Sequence, residues 1–211
     1  ETYEPFLAWA AEKCSTKGSG VRDFKGRARR ALESELSFLT AREFWNGEEG
    51  GGRYLADDHA EVLTSSAVSP AVALTYVDSA LTPRLRNRQG MVHVRPELVD
   101  VLTALDLLRW DAGSVFTPMG HVLVADAGYS GDGHDGDDPV PADESSQWMF
   151  GTDLIGVRLG PVEDLPEGDQ VGPANVDRDT NDLIVWAQRL VGIQWDHHAH
   201  VSAEVAQGAL T

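Results

Sequence analysis

The side chains of this chain best suited to hold a metal are three histidines in the segment Trp195–His200, WDHHAH. If that segment is a strand, His198 and His200 point to one face and His197 to the other, because side chains alternate along a strand. Two imidazoles on one face could begin a zinc site, but zinc needs a third protein ligand, and the sequence places none beside them. We therefore favour ordinary strand histidines over a metal site.

An acidic stretch from Tyr129 to Ser146 could also attract a cation. Among its Gly, Pro and Ser residues lie six carboxylates: Asp132, Asp135, Asp137, Asp138, Asp143 and Glu144. The stretch lacks the regular spacing and the bidentate Glu of a calcium-binding loop. Its composition is typical of an exposed, mobile loop, which is the interpretation that we favour.

The sequence contains none of the patterns expected of a catalyst. There is no Gly-x-Ser-x-Gly elbow and no phosphate-binding loop, and nothing places Ser, His and Asp side chains together as a triad. The only cysteine, Cys14, excludes an intrachain disulfide and a zinc site built on several thiolates. We predict that the protein is not an enzyme and uses no cofactor.

Charge limits the partners that the protein can have. Its 17 Lys and Arg residues against 34 Asp and Glu residues give a formal net charge of −17. Such a surface repels nucleic acid at long range, so a protein that reads DNA would need a strong basic patch. A protein that only lies next to packaged DNA could benefit from the acidity. Alternatively, the negative charge serves only to keep the protein soluble.

The basic residues concentrate in one short segment. Arg22, Lys25, Arg27, Arg29 and Arg30 lie in or just before the first half of a predicted helix, where cations oppose the helix dipole. Acidic partners elsewhere would offset this unfavourable interaction with the dipole. Alternatively, the basic residues form a face that only contacts solvent.

The elements that carry these side chains indicate an α+β protein. Asp23 as N-cap, an apolar period near 3.6 and Gly47 as stop predict a helix from Asp23 to Asn46. Pro70 and Pro96 each open a further helix, the first ending near Leu81. The predicted strands are Met91–Val94, His121–Ala125, Trp148–Leu159 with a break at Gly151, Asn181–Val191, and Gln194–Val205 beyond a bend at Gly192. No apolar run approaches the roughly 20 residues of a membrane span, and no signal peptide is visible.

Three stretches carry a resemblance to a known family. They are CSTKGSGVRDFKGRARRALESELSFLTAREFWNG (14–47), GMVHVRPELVDVLTALDLL with TPMGHVLVADAGY (90–129), and MFGTDLIGVRLGPV with RDTNDLIVWAQRLVGIQWDHHAHVSAEV (149–205). In their apolar, Gly and Arg positions they resemble tailed-bacteriophage major capsid proteins, especially those of phages that infect actinobacteria. Encapsulin shells share this Hong Kong 97-like fold.

The resemblance implies a fold and a function. Residues 23–46 would be the long spine helix, 1–68 the first part of a peripheral domain, 69–147 an axial domain and 148–211 the returning strands of the peripheral domain. The protein would assemble into pentamers and hexamers of an icosahedral head around double-stranded DNA, which it meets by non-specific proximity. Portal, scaffolding and decoration proteins would be further partners, with no membrane involved. The protein would reside in the virion after assembly in the bacterial cytoplasm.

The resemblance also suggests roles for the charged segments. Arg22, Lys25, Arg27, Arg29 and Arg30 would pair with acidic patches of neighbouring subunits, and Asp132, Asp135, Asp137 and Asp138 would ring a capsomer axis. Only 22 residues precede the spine helix, too few for the family's N-terminal arm and extended loop, so we expect residues upstream of Glu1 or a reduced relative. Some members of the family join their subunits by a Lys–Asn isopeptide bond. None of the three lysines here can be matched to that cross-linking lysine. The alternatives are another virion structural protein, an encapsulin-type compartment shell, and a small metal-dependent hydrolase using His198 and His200.

Overall fold

The computed structural model describes residues 5–15, 23–48, 53–135, 138–143, 145–165, 176–177 and 182–206. Its helices are α1 (Phe24–Asn46), α2 (Pro70–Arg84) and α3 (Pro96–Ala104), with a 3₁₀ turn at His197–Ala199. Its strands are β1 (Phe6–Ser15), β2 (Glu61–Val62), β3 (Met91–Val94), β4 (Arg109–Asp111), β5 (Ser114–Phe116), β6 (Val122–Ala125), β7 (Gly133–Asp135), β8 (Asp138–Val140), β9 (Ser146–Thr152), β10 (Gly156–Leu159), β11 (Glu163–Leu165), β12 (Val176–Asp177), β13 (Asp182–Gln194) and β14 (Val201–Ala206). None of the helices in these ranges is long and apolar enough to cross a membrane.

Helix α1 has the predicted ends. The Asp23 carboxylate accepts the backbone N–H of Gly26 at 3.0 Å, which satisfies a donor that the first turn leaves free. Gly47 follows the last turn with φ of +65°, a left-handed conformation that glycine adopts at low cost. Helices α2 and α3 begin at Pro70 and Pro96, as predicted, and α2 continues to Arg84 instead of ending near Leu81.

The chain forms two compact units. Of the described residues, unit 1 comprises those in 41–156 and 193–206, and unit 2 comprises those in 5–40 and 157–192. These units group the residues differently from the three segments expected from the sequence, because α1 and β13 each contribute to both and β9 belongs to unit 1. Which parts are peripheral and which axial remains a proposal.

Unit 1 is built on a seven-stranded sheet with the order β2-β14-β9-β3-β6-β5-β4. Strands β3 and β6 are parallel, with α3, β4 and β5 between them in the chain, whereas β9 pairs antiparallel with both β3 and β14. Helix α2 packs on β9 and β14. The buried apolar cluster that results includes Leu74, Val77, Leu81, Val92, Leu98, Leu102, Met149, Val201 and Val205.

Gly151 does not break the strand predicted around it; β9 runs through this residue, and the break comes at residues 153–155. A Cβ atom on Gly151 would lie 2.8–2.9 Å from side-chain atoms of Val77, Leu81 and Val201. This glycine therefore permits a close approach of α2 to the sheet.

Unit 2 is built on the ten-residue antiparallel pairing of β1 with β13, from Phe6 opposite Val191 to Ser15 opposite Asp182. Strands β10, β11 and β12 also pair with β13. Gly192 makes no bend, so one continuous strand replaces the end of one predicted strand and the start of the next. The buried side chains of this unit are mostly small: Phe6, Ala8, Ala10, Ala28, Leu32, Val185, Ala187 and Val191.

Candidate functional site

The outer face of the unit 2 sheet carries large apolar side chains. Phe6, Ala8 and Ala10 of β1 are buried, and Glu12 on the same face forms an ion pair with Arg27 of α1. The residues between them, Leu7, Trp9 and Ala11, therefore point away from the helix. We define the outer face of unit 2 as Leu7, Trp9, Ala11, Trp186, Gln188 and Leu190, which face one another across the β1–β13 pair.

This outer face is the most distinctive surface of unit 2. Leu7 lies opposite Leu190, and their exposed fractions are 42% and 53%, while Trp9 is 54% exposed. Contiguous large apolar side chains on a soluble protein mark a contact surface. This surface was not predicted, although the run Phe6–Ala11 is apolar at both odd and even positions and so indicates a strand with two apolar faces.

Unit 1 also exposes apolar side chains, but at scattered places. Val72 and Tyr76 lie one turn apart on α2, and Trp110 on the edge strand β4 is 60% exposed. Leu105, Met119 and Leu154 are exposed elsewhere on the unit.

The basic segment of α1 finds acidic partners inside its own subunit. Arg29 donates two hydrogen bonds to Asp164 of β11, from Nε at 2.8 Å and from Nη2 at 2.6 Å. The hydrogen bond and charge of Arg29 lower the pKa of Asp164, and the charge of Lys25 adds to this effect. Arg30 lies 3.3 Å from Asp23. Arg22 falls outside the described residues.

These pairs explain how cations are tolerated at the N-terminal end of α1. Carboxylates of β1, β11 and the N-cap surround Arg27, Arg29 and Arg30, which offsets their unfavourable interaction with the helix dipole. Pairing of these arginines with neighbouring subunits remains a prediction.

The acidic stretch is not a free loop, contrary to expectation. Strands β7 and β8 form a hairpin within it, and the Trp45 indole Nε1 donates to the carbonyl of Asp132 at 2.9 Å. The Asp132 carboxylate accepts the N–H of Ala142 at 2.7 Å. His134 is buried and stacks on Trp148 with ring centroids 6.2 Å apart. The composition of this segment is typical of a loop, but Trp45, distant in sequence, and Trp148, just beyond its end, anchor it.

Two of the remaining acidic candidates belong to this hairpin. Asp135 ends β7 and Asp138 begins β8, while Asp137 falls outside the described residues. Their place on a capsomer axis stays a prediction.

The histidine segment has a different geometry from the predicted strand. His197–Ala199 form a 3₁₀ turn, so the alternation that put His198 and His200 on one face does not apply. His198 is exposed, whereas His200 is buried and its Nε2 lies 2.9 Å from the carbonyl of Leu55. The strand predicted for this segment is therefore wrong, and the shared face that could have begun a zinc site does not form.

A buried polar group that the sequence analysis missed lies at His93. Thr152 Oγ1 donates to the carbonyl of Asp153 and therefore accepts from His93 Nε2 at 2.9 Å. Nδ1 then accepts from the Tyr129 hydroxyl at 3.1 Å. Burial lowers the pKa of His93 to about 3 and raises that of Tyr129. Both ring nitrogens are satisfied inside the core, so this histidine fixes packing and does not reach a substrate.

A second buried polar group lies beside α2. Asp78 accepts the N–H of Met119 at 3.3 Å, and burial raises the pKa of its carboxyl. His121 Nδ1 accepts the N–H of Gly90 at 2.9 Å, which leaves Nε2 as the donor to Thr82. These contacts tie the Thr117–Gly120 turn to α2.

A cleft in unit 1 has a volume of about 690 Å³. It is lined by Arg53, Leu154, Gly156, Gln194, Trp195, Asp196 and His198. The Asp196 carboxylate accepts the backbone N–H of His198 at 3.1 Å. Within the described residues, the cleft does not combine a nucleophile with a hydrogen-bonded base, so its lining forms no catalytic arrangement that we recognise.

Comparison with known proteins gives a fold. At the level of sequence, no family model and no curated protein matches the chain. Among solved structures, a chain of Gordonia phage Cozz matches with a TM-score of 0.59 and 16% identity, over 97% of this chain and 71% of that chain. The SrpI encapsulin complex from Synechococcus elongatus matches at 0.57 and 12% identity, over 99% and 77%. The capsid of an empty GTA particle matches at 0.56 and 11% identity, over 98% and 73%.

These matches extend over nearly all of the chain and include both units. The chain therefore has the Hong Kong 97-like fold of phage major capsid proteins and encapsulins, which its sequence pattern predicted.

Proposed function

We propose that this chain is a structural subunit that assembles with many copies of itself into an icosahedral phage head around double-stranded DNA, and that it catalyses no reaction. One observation supports this most strongly: structures of a phage chain, an encapsulin complex and a capsid share its fold over at least 97% of its length. These three structures differ strongly from this chain in sequence and still share its fold, which indicates a common architecture.

The surface of the subunit supports the same proposal. A protein that works by tiling needs apolar contact surfaces on a stable scaffold rather than a catalytic cleft. Leu7, Trp9 and Leu190 provide such a surface on unit 2, and Trp110 provides another on unit 1.

The charge of the chain suits a container for DNA. At −17, the subunit repels phosphate groups at long range, so packaged DNA would lie beside the shell without adhering tightly to it. DNA contact would then be non-specific. Portal, scaffolding and decoration proteins remain further proposed partners, and assembly in the host cytoplasm belongs to the same proposal.

We keep the peripheral and axial assignment as part of this proposal. Helix α1 would be the spine helix, residues 69–147 would form the axial domain, and Asp132, Asp135, Asp137 and Asp138 would lie near a capsomer axis. The hydrogen bonds of Asp132 to Ala142 and Trp45 support a fixed position for this hairpin, which a ring of identical subunits would require.

The test is direct. The complete gene product is expressed, sedimented through a sucrose gradient and imaged by negative-stain electron microscopy. We expect closed particles of megadalton mass. A soluble product that stayed monomeric or formed only small oligomers under all conditions would contradict the proposal, the more so if it turned over a small molecule.

An encapsulin-type compartment is the second candidate, because the encapsulin complex matches nearly as well as the phage chain, with TM-scores of 0.57 and 0.59. Particles purified from the natural source distinguish the two. A phage head should contain nuclease-protected double-stranded DNA, whereas a compartment should contain protein cargo and little nucleic acid.

A further inference from the structure

A tightly anchored turn in unit 1 brings two carboxylates and an imidazole together. Asp57, Asp58 and His59 lie between α1 and β2, and one ligand atom from each falls within 4.8 Å of the others. The turn is held at both ends: Leu55 N–H donates to the carbonyl of Phe44 at 2.9 Å, and Glu61 N–H donates to that of His200 at 3.1 Å.

Asp57 is the unusual member of this cluster. Asp57 is only 6% exposed, and burying an ionised carboxylate without compensation is costly. Oδ1 accepts the backbone N–H of His59 at 3.0 Å. Oδ2 is buried, and no hydrogen-bond donor in the described part of the chain reaches it.

The unsatisfied oxygen faces the other two groups. Asp57 Oδ2 lies 3.8 Å from Nδ1 of His59, and the same Nδ1 lies 2.6 Å from Oδ1 of Asp58. The two partner side chains are each 50% exposed, so an ion from solvent can reach the cluster.

We propose that Asp57, Asp58 and His59 bind one divalent transition-metal ion, with Zn²⁺ as the probe, through both carboxylates and the Nδ1 atom of His59. One imidazole with two carboxylates is a donor set that suits such ions, whereas Ca²⁺ and Mg²⁺ prefer oxygen donors alone. Two carboxylates also neutralise a doubly charged ion, which would supply the missing partner of Asp57 Oδ2.

His200 packs behind this site. Its Nδ1 lies 3.6 Å from Asp57 Oδ1, while its Nε2 lies 2.9 Å from the carbonyl of Leu55. A ring held in this way would fix the orientation of Asp57, as outer partners do for metal ligands. The metal would therefore stabilise the junction between the 53–60 turn and β14.

The experiment measures binding, separately from assembly. The full-length protein is stripped with EDTA, dialysed and titrated with ZnCl₂ by calorimetry at pH 7.5, and Co²⁺ absorption reports coordination. We expect one ion per chain, and affinity at least about 10-fold weaker in Asp58→Asn and in His59→Gln. Both substitutions are at half-exposed side chains, so the fold should persist; Asp57→Asn is avoided because Asp57 is buried.

The matched control is His198→Gln, which removes an exposed histidine outside the cluster. It should bind Zn²⁺ like the wild type. Absence of stoichiometric binding overturns the proposal, and so does binding that Asp58→Asn and His59→Gln leave unchanged or that His198→Gln weakens equally. The result is independent of particle formation, so failure here does not affect the proposed function.

Discussion

The two units differ in where most of their tryptophans lie. In unit 1, Trp45, Trp148 and Trp195 are at most 3% exposed, and the buried cluster is rich in large side chains. In unit 2, Trp9 is 54% exposed, whereas most of the buried positions hold alanine or valine. Unit 1 therefore buries three of its tryptophans in the fold, with Trp110 at 60% exposure as the exception, while unit 2 leaves Trp9 available for contact with another surface.

The interactions of each unit reinforce this contrast. Trp45 makes an edge contact with Phe150 at 5.0 Å and a tilted contact with Tyr129 at 4.7 Å, and its indole N–H is satisfied by Asp132. Unit 2 instead ties its helix to its strands through partly exposed ion pairs such as Arg29–Asp164. Exposed ion pairs stabilise little, so we expect unit 2 to gain more than unit 1 from assembly.

The largest expected effect is on folding of unit 1. Trp45→Ala removes a fully buried indole and leaves the carbonyl of Asp132 without its donor, which should lower the free energy of unfolding by about 3–5 kcal/mol. Urea unfolding followed by circular dichroism measures this change. Trp110→Ala, at 60% exposure, is the matched control and should remain within about 0.5 kcal/mol of the wild type. A loss below about 1 kcal/mol in Trp45→Ala would refute the contrast.

The second effect is on assembly through unit 2. Trp9→Ala should leave unfolding within about 0.5 kcal/mol of the wild type. If Trp9 is a contact anchor worth about 2 kcal/mol, the concentration needed for assembly should rise about 30-fold. Light scattering against protein concentration measures this threshold. If Trp110→Ala impaired assembly and Trp9→Ala did not, the main contact would lie on unit 1.

The third prediction concerns pH and the buried core of unit 1. The pKa of His93 is lowered to about 3 in the folded protein, and it is about 6.5 in an unfolded chain. Between these values the unfolded chain binds a proton that the folded protein does not. The free energy of unfolding should therefore fall as the pH falls from 6.5 towards 3, by up to about 1.4 kcal/mol per pH unit.

His93→Gln removes that contribution, so its unfolding free energy should change less steeply with pH over the same range. Burial also lowers the pKa of His121 and raises those of Asp57 and Asp78, but these groups are present in both proteins and cancel in the difference. Parallel curves for wild type and His93→Gln would show that His93 contributes nothing.

The smallest expected effect concerns the ion pairs of unit 2. Arg29→Ala should lower the free energy of unfolding only slightly, and less in high salt, because the Arg29 side chain is 52% exposed and solvent screens its ion pair. For assembly, Arg29→Glu is compared with the double variant Arg29→Glu/Asp164→Arg. Recovery in the double variant would mean that the pair acts inside one subunit, whereas persistent loss would indicate that Arg29 meets a neighbouring subunit.

Elements set by local signals could be predicted from the sequence. An N-cap and a C-terminal glycine bound α1, and prolines at the first helical position begin α2 and α3. Short apolar runs predicted the strands β3 and β6. In each case the deciding physics acts within about one turn of the chain.

The candidate sites could not be predicted in the same way. The 3₁₀ turn at His197–Ala199 and the hairpin at 133–140 differ from prediction because distant residues hold them. His200 is held by Leu55, and Trp45 holds Asp132. The Asp57–His59 cluster was overlooked, since nothing in its sequence reveals that Asp57 is buried.

The sequence by itself determined the long helix, the α+β order and the pattern that resembles phage capsid proteins, because caps, periodicity and strand propensity are local properties. Only the tertiary structure decided which apolar residues face outward and which ionisable groups are buried. Both depend on which strands pair and which face a helix covers. Trp9 and Trp45 are the same residue type, and their environments differ because the β1–β13 pairing turns one outward while Phe150 and Tyr129 enclose the other.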